Sequence, residues 1–220
     1  MASFRDELKD VCDHEWTKIK AGQFYRMVTN SDPDLQKQLY IRAMIEVFHY
    51  TKNNAINQAA ATFNEDHKRM GLLRFAMTHA LEELGHENMV LNDLSAIGVD
   101  RSVFERQPLP ATEALNGYLY SLSIRGGLVP RLGYSFWAED SYEHLAPLMD
   151  VCKNRLKLTD KQLTFFVAHS VIDVRHAKDV NEAIERWVET DEDKMAVRQV
   201  ARTTLYLTGQ ILESVANEFC

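Results

Sequence analysis

The sequence predicts an all-α protein, and three of its features lead to that fold class. Strict alternation of polar and apolar residues, which marks a half-buried strand, does not continue over several residues, and no Asn-Gly pair stands between two such runs. Apolar residues instead recur at spacings of three and four, as they do along one face of a helix. Residues that typically cap helices precede several of these stretches.

Two long helices are predicted in the first half of the chain. One begins near residue 31, where Ser31 or Asp32 can act as the N-cap and Pro33 suits the first turn. The other runs from about residue 66 to residue 96 and should stop at Gly98, because glycine commonly follows the last helical turn.

Glycine and proline are concentrated in the middle of the chain. Residues 98–133 contain five of the nine glycines and three of the five prolines. We interpret GVDRSVFERQPLPA as a loop that joins two halves of one bundle, and RGGLVPRLG as a break or kink between two helices. Because apolar periodicity resumes on both sides of the second segment, it is not a domain linker, and we predict a single helical domain over residues 1–220.

Two further long helices are predicted in the last third of the chain. Thr159 and Gln162 have the spacing of a capping box and open the first of them. Thr190 and Asp193 form a similar but weaker pair at the start of the second. The chain therefore reads as helix almost throughout.

Composition and charge exclude several classes of protein. At 220 residues, 45% apolar and 26% charged, the chain matches an ordinary globular protein with a sizeable core. A net charge of −7 argues against a nucleic-acid partner. No apolar stretch approaches the ~20 residues of a membrane span, and the N-terminus lacks the apolar core of a secretory signal. The three cysteines are far apart and suggest no disulfide framework, so we expect a cytoplasmic protein without a membrane partner.

The segment HSVIDVRH carries the most informative spacing. It places His169, Asp173 and His176 at gaps of four and three among apolar neighbours. Because each helical residue turns the chain by ~100°, these side chains span an arc of roughly 60°. One face of a mostly buried helix would thus carry three potential metal ligands.

A second segment, HALEELGHE, repeats that spacing with His79, Glu83 and His86. Both segments contain a carboxylate followed three residues later by a histidine. Di-metal sites in helical bundles take this pair from each of two helices and bridging carboxylates from others. The plain alternative is a charged, solvated helix face or a set of structural histidines.

A further carboxylate should complete such a site. Glu139, in YSFWAED, follows two large aromatic residues and is a candidate bridging or terminal ligand, although a surface acid is the alternative. Glu46 is another acid inside an apolar run and a weaker candidate for a ligand or a supporting residue.

The combination of imidazole and carboxylate indicates the metal. These groups suit iron and manganese, and sets of two histidines and one carboxylate with open positions are typical of Fe(II) sites that bind O2. Two such sets facing each other would hold two metals about 3.5–4 Å apart. Each ligating imidazole also needs a partner for its other nitrogen. Spare acids near the motifs could serve, namely Glu82, Glu87 and Asp179.

These residues resemble a known family, the heme-oxygenase-like di-iron oxidases, which are relatives of heme oxygenase, the thiaminase TenA and the quinone-cofactor synthase PqqC. The resemblance is carried by DHEWTKIKAGQF, EELGHE, YSFWAED and HSVIDVRH and covers essentially the whole chain. It implies a bundle of about seven helices with the metals between core helices. It also implies six ligands, which are Glu83, His86, Glu139, His169, Asp173 and His176.

The place of the first carboxylate stays open. Some members of the family carry it seven residues before the histidine, where this chain has His79. Either Glu83 is the ligand and His79 supports it, or His79 itself binds metal and the site is richer in nitrogen. Glu82 lies only about 40° outside the arc of the other three side chains and is a third possibility.

The resemblance also implies an activity. Members of the family use O2 to oxidise small substrates such as amino acids, other amines or fatty acids, and many serve natural-product biosynthesis. We therefore expect an enzyme that binds two Fe(II) ions and takes O2 as co-substrate. We expect the substrate near Phe136, Trp137 and Tyr142, with Arg125 or Arg131 as a partner for a substrate carboxylate.

Other classes remain as alternatives. His14, in the first helix, could be a heme ligand, although a capping or surface histidine is the simpler reading. A cofactor-free hydrolase would need a nucleophilic cysteine, and Cys152 and Cys220 are poorly placed for that role. A ferritin-like storage protein would also contain the carboxylate-histidine pairs. A homodimer is expected only by analogy with the fold.

Overall fold

The computed structural model describes residues 3–220, apart from the side chains of residues 171–173. Helices connected by turns form this part of the chain, which confirms the all-α prediction. The α-helices are α1 (Phe4–Ala21), α2 (Gln23–Asn30), α3 (Pro33–Ala61), α4 (Met70–Glu83), α5 (Glu87–Ala96), α6 (Pro110–Arg125), α7 (Leu128–Glu139), α8 (Tyr142–Asp150), α9 (Thr164–Trp187) and α10 (Asp191–Asn217). Ten segments replace the expected seven because breaks of one to three residues separate α1 from α2, α4 from α5 and α6 from α7.

Two predicted helix starts are confirmed by their hydrogen bonds. The Asp32 carboxylate accepts from two backbone N–H groups at 3.0 Å, with Pro33 as the first residue of α3. Thr190 and Asp193 cap each other's backbone N–H groups at the start of α10. These caps satisfy donors that the helices themselves leave unpaired.

The start of α9 differs from its prediction. The Thr159–Gln162 capping box is present, but it closes a 3₁₀ turn, and α9 begins only at Thr164. Asp93 on α5 supplies the N-terminal partner instead, accepting from the backbone N–H groups of Thr164 at 2.9 Å and Phe165 at 2.8 Å. A contact between distant segments thus decides where this helix starts.

The prediction of one helix from residue 66 to residue 96 is wrong. Two 3₁₀ turns precede α4, and the segment 84–86 separates α4 from α5. Gly85 has a φ of +97° in this segment, a backbone conformation that glycine adopts without the strain that other residues incur. His86 therefore lies in a turn rather than on the face of a continuous helix.

Close packing in the interior places α7 and α9, which carry candidate site residues, next to each other. A Cβ atom at Gly133 of α7 would collide with the backbone carbonyl of Val197 on α10, so the glycine permits close backbone approach. Helix α9 packs against α4, α5 and α7, and α3 packs against α4, α5 and α6.

None of the described helices is both long and apolar enough to cross a membrane.

Candidate metal centre

Four buried side chains from α4, α7 and α9 converge in the interior. They are His79, Glu83, Glu139 and His176, and one ligand atom of each lies within 4.8 Å of those of the others. Glu139 bridges two imidazoles, with Oε1 3.1 Å from His79 Nε2 and Oε2 3.3 Å from His176 Nδ1. Glu83 Oε1 lies 3.5 Å from the same His176 nitrogen. This arrangement could hold one metal ion.

A second group shares Glu83 with the first. It consists of Glu83, His86 and His169, again with ligand atoms within 4.8 Å of one another. Glu83 Oε2 lies 3.3 Å from His86 Nδ1, and the rings of His86 and His169 are 4.8 Å apart and nearly perpendicular. Each oxygen of Glu83 faces a different group, so this carboxylate connects the two groups.

Three buried atoms of these groups have no hydrogen-bond partner in the described structure: Glu83 Oε1, His86 Nδ1 and His176 Nδ1. The neighbours at 3.3–3.5 Å are close enough for charge interaction but do not meet hydrogen-bond geometry. Buried polar atoms without partners are costly. Their convergence fits bound cations, and a donor set of imidazole nitrogen and carboxylate oxygen suits iron.

Gln58 holds the His79 ring from outside the centre. Its Oε1 lies 3.1 Å from His79 Nδ1 and accepts from the Arg131 guanidinium at 2.7 Å. A guanidinium only donates, so this bond fixes which end of the amide is oxygen. Gln58 Nε2, 2.9 Å from the same ring nitrogen, donates to the carbonyl of Ala76. The His79 ring is thereby oriented with Nε2 toward Glu139.

The two histidines of α9 have outer partners of different kinds. His169 Nδ1 lies 2.5 Å from the carbonyl oxygen of Phe165, which leaves Nε2 available to a metal. His176 Nε2 lies 3.0 Å from Glu82 Oε2, so its Nδ1 points toward the carboxylates of the centre. Glu82 also pairs with Arg175 at 2.9 Å and supports His176 rather than joining either ligand group.

The pKa values of three ionisable groups of the centre are shifted in different ways. Burial would raise the pKa of Glu139, but the adjacent imidazoles of His176 and His79 outweigh it and lower that pKa to about 2. Burial would lower the pKa of His176, but Glu139 and Glu83 raise it to about 9. Burial dominates at His169 and lowers its pKa, which favours the neutral imidazole that binds metals.

Two further candidate ligands are placed differently. The side chain of Asp173 lies outside the described residues, so its role remains a prediction. Glu46 belongs to neither ligand group. Its oxygens accept hydrogen bonds from Arg42, from the backbone N–H of Leu109 and from the Thr112 hydroxyl, which makes it a buried link between α3 and α6.

An apolar cavity of about 150 Å³ adjoins the centre. Glu83, Glu139 and His169 contribute to its wall, as do Trp137 and Tyr142. Phe136 is buried but does not line this cavity. Two of the three aromatic residues predicted to lie near the substrate thus face the same space as the ligand groups.

The two arginines proposed as carboxylate partners do not line this cavity. Arg131 is buried and donates to the side chains of Asn54, Asn57 and Gln58 on α3. Burial lowers its pKa to about 10, so it still carries its charge at neutral pH. Arg125 is exposed at the end of α6. Neither is placed to meet a substrate carboxylate beside the centre.

The residues on which the heme and hydrolase alternatives depend belong neither to the ligand groups nor to the cavity wall. His14 is exposed on α1. Burial raises the pKa of Cys152 to about 12, which keeps it a protonated thiol, and Cys152 does not line the cavity. Cys220 is exposed.

A third cluster near the protein surface is different in kind. Asp13, Glu143 and His144 also bring ligand atoms together. Lys9 Nζ, however, contacts Asp13 at 3.1 Å and Glu143 at 3.3 Å, so an ammonium group already balances these carboxylates.

Comparisons with solved structures identify the fold. A domain of unknown function with a heme oxygenase-like fold from Shewanella denitrificans is 39% identical, over 97% of this chain and 92% of that one, with a TM-score of 0.89. A TenA homologue from Pseudomonas syringae is 15% identical, over 98% of this chain and 93% of that one, with a TM-score of 0.78. A CADD-like protein of unknown function from Nostoc punctiforme is 15% identical, over 96% of this chain and 98% of that one, with a TM-score of 0.62.

A comparison with sequence families identifies the family of this chain. A search among curated proteins finds no match. The profile of a family described as iron-containing redox enzymes matches residues 43–209, which contain both ligand groups. The chain therefore belongs to the iron-containing redox enzyme family, and its fold is heme oxygenase-like.

Proposed function

We propose that this protein is a non-heme di-iron enzyme that uses O2 to oxidise a small molecule held in the apolar cavity. One observation carries the proposal: two groups of histidines and carboxylates, all buried except the half-buried His169, share Glu83, and buried atoms of both groups have no hydrogen-bond partner in the described structure. A carboxylate shared between two such groups is the arrangement of di-iron sites in helical proteins. Membership of an iron-containing redox family supports iron as the metal.

The ligand assignment follows from the two groups. His79, Glu139 and His176 would hold the first iron, and His86 and His169 the second, with Glu83 between them. Asp173 stays a predicted ligand. Bound ferrous iron would supply the electrons that reduce O2 and so make it reactive toward an organic molecule.

The chain's own residues have separate tasks in this scheme. Gln58 and Glu82 orient the imidazoles of His79 and His176, which keeps the ligand geometry fixed. Trp137 contributes an apolar wall beside the ligands and is itself held by a 2.8 Å hydrogen bond to Thr204. Such a wall keeps water away from the reacting groups, which limits side reactions.

The test is an anaerobic Fe(II) titration followed by mixing with O2, monitored by absorbance and Mössbauer spectroscopy. We expect two iron ions per chain and O2 uptake coupled to loss of an organic substrate. Failure to bind iron would contradict the proposal. Iron oxidation without substrate consumption would indicate storage, and a Soret band on heme addition without iron binding would indicate a heme protein.

A further inference from the structure

Two amide side chains of α3 contact two candidate ligands of α4. Asn54 and Gln58 stand four residues apart on α3. His79 and Glu83 have the same spacing on α4, so each pair lies on one face of its helix. Gln58 Oε1 lies 3.1 Å from His79 Nδ1, and Asn54 Nδ2 donates to Glu83 Oε2 at 3.3 Å. Helix α3 therefore contacts the shared carboxylate as well as the histidine.

The orientation of the Asn54 amide is fixed from its other side. Arg131 Nη2 donates to Asn54 Oδ1 at 2.9 Å and to the backbone carbonyl oxygen of the same residue at 3.3 Å. Because a guanidinium only donates, the amide end that faces Arg131 must be the oxygen. The NH2 end then faces Glu83. The carboxylate thus meets a donor whose direction is set by a third helix, α7.

This contact selects one orientation of the Glu83 carboxylate. Among the groups that the structure describes, Asn54 is the only one that donates a hydrogen bond to it, and Oε1 has no partner. The bond engages Oε2, the oxygen that lies 3.3 Å from His86 Nδ1. A rotation that turned both oxygens toward a single metal ion would break this bond. The contact therefore favours one oxygen toward each ligand group.

We propose that Asn54 is a positioning residue of the metal centre, whose amide holds Glu83 with one oxygen toward each ligand group. Asn54 acts through Glu83 and belongs to neither ligand group itself. The consequence for metal binding rests on the proposed di-iron function, whereas the contact with Glu83 is a property of the metal-free protein.

The chain offers two matched controls for Asn54→Ala. Asn53→Ala removes the neighbouring half-buried amide of α3, which accepts from the Tyr120 hydroxyl at 3.1 Å instead of contacting the centre. Asn57→Ala removes another acceptor of Arg131, at 3.0 Å, that belongs to neither ligand group. If Asn54 served only to hold Arg131, Asn57→Ala would have the same effect as Asn54→Ala.

The first experiment loads each variant anaerobically with Mn(II), which suits the same ligands as iron, and records EPR spectra during the titration. Two Mn(II) ions that share a bridging carboxylate couple magnetically and give a spectrum unlike that of isolated Mn(II). We expect Asn54→Ala to bind the second Mn(II) about tenfold more weakly, with a matching loss of the coupled signal, as for other outer contacts of metal ligands. Both control variants should retain the wild-type titration.

Two results of this experiment would overturn the inference. One is an unchanged second binding step and coupled signal in Asn54→Ala, and the other is an equal loss in Asn54→Ala and Asn57→Ala. If circular dichroism shows that Asn54→Ala does not fold, Asn54→Ser replaces it, because its shorter side chain also withdraws the donor from Glu83.

The second experiment tests the contact in the metal-free protein. The side-chain NH2 resonances of Asn54 are followed by proton–nitrogen NMR in Glu83→Gln and in Glu185→Gln, which changes an exposed glutamate of α9. A hydrogen bond to an ionised carboxylate is stronger than one to a neutral amide, so we expect an upfield shift in Glu83→Gln only. Equal spectra for the two variants would overturn the inference.

Metal stoichiometry separates this inference from the proposed function. A shift of the Asn54 resonances in Glu83→Gln, in a protein that binds fewer than two metal ions, would sustain the contact and remove the di-iron function. Two bound irons in the wild type and in Asn54→Ala, with identical titrations, would do the reverse.

Discussion

The two halves of the candidate metal centre share Glu83 but depend on different kinds of structure. His79, Glu139 and His176 all project from regular helices, and the imidazole of His176 is fully buried. In the other half, His86 lies in the turn between α4 and α5, and His169 is only half-buried beside the cavity.

The outer contacts widen this difference. His79 is held by Gln58, which Arg131 fixes in turn, and His176 is held by Glu82. His169 is held by a backbone carbonyl of its own helix. Preorganised ligands lose less freedom when a metal binds. We therefore expect the half on regular helices to bind iron first and the half beside the turn to bind it more weakly.

The largest effect should come from the residue that both halves share. Glu83→Ala removes one oxygen from each ligand group, so we expect bound iron to fall below about one tenth of the wild-type amount. The exposed glutamate in Glu185→Ala, on α9, provides the control and should retain both irons. Iron is counted by elemental analysis after anaerobic loading. One full iron retained in Glu83→Ala would show that this carboxylate does not bridge.

Replacing one histidine in each half of the metal centre should distinguish the iron-binding steps of the two halves. We expect His169→Ala to keep the tightly bound iron and lose the weaker one, and to lose turnover. His79→Ala should instead remove the tight step from the Fe(II) titration. Identical titrations for the two variants would mean that the halves do not differ as the structure suggests.

Helix ends fixed by local contacts are also easier to predict from the sequence than those fixed by distant contacts. Caps such as Asp32 and Thr190 act within three residues, so local sequence reveals them. The start of α9 depends on Asp93, 71 residues from Thr164, and local sequence carries no sign of that contact. Only its positive φ distinguishes Gly85 from a tolerated helical glycine, and the sequence does not reveal that angle.

The site shows the same limit. Spacings of three and four identified His79, Glu83, His169 and His176, which the structure brings together, because helical spacing is a local property. Gln58 was missed since it approaches His79 from 21 residues away with no motif around it. An acid or arginine inside an apolar run can belong to a functional site or can make a buried structural hydrogen bond. Glu46 and Arg131 make structural hydrogen bonds, and the sequence alone does not distinguish the two roles.

A smaller effect should follow from loosening the start of α9. Asp93→Asn weakens the bonds to Thr164 and Phe165, and the carbonyl of Phe165 holds His169. We expect about 10-fold weaker binding of the second iron and an unchanged first step, as for other outer contacts of metal ligands. Asp100→Asn is matched, since Asp100 caps a 3₁₀ turn away from the centre. Equal iron titrations for the two variants would contradict a positioning role for Asp93.

The smallest effect should come from the turn itself. Gly85→Ala puts a side chain at a φ of +97°, which we expect to cost about 1–2 kcal/mol of folding stability, although the nearest side-chain atom, on Asn88, would be 3.6 Å away. Gly98→Ala imposes similar strain at +86° with no atom within 4 Å. Both variants should therefore lower Tm by similar amounts, measured by circular dichroism. Only Gly85→Ala should also weaken binding of the second iron, because its strain falls on the turn that carries His86. If both variants lose the same amount of bound iron, the loss would follow from lower folding stability alone.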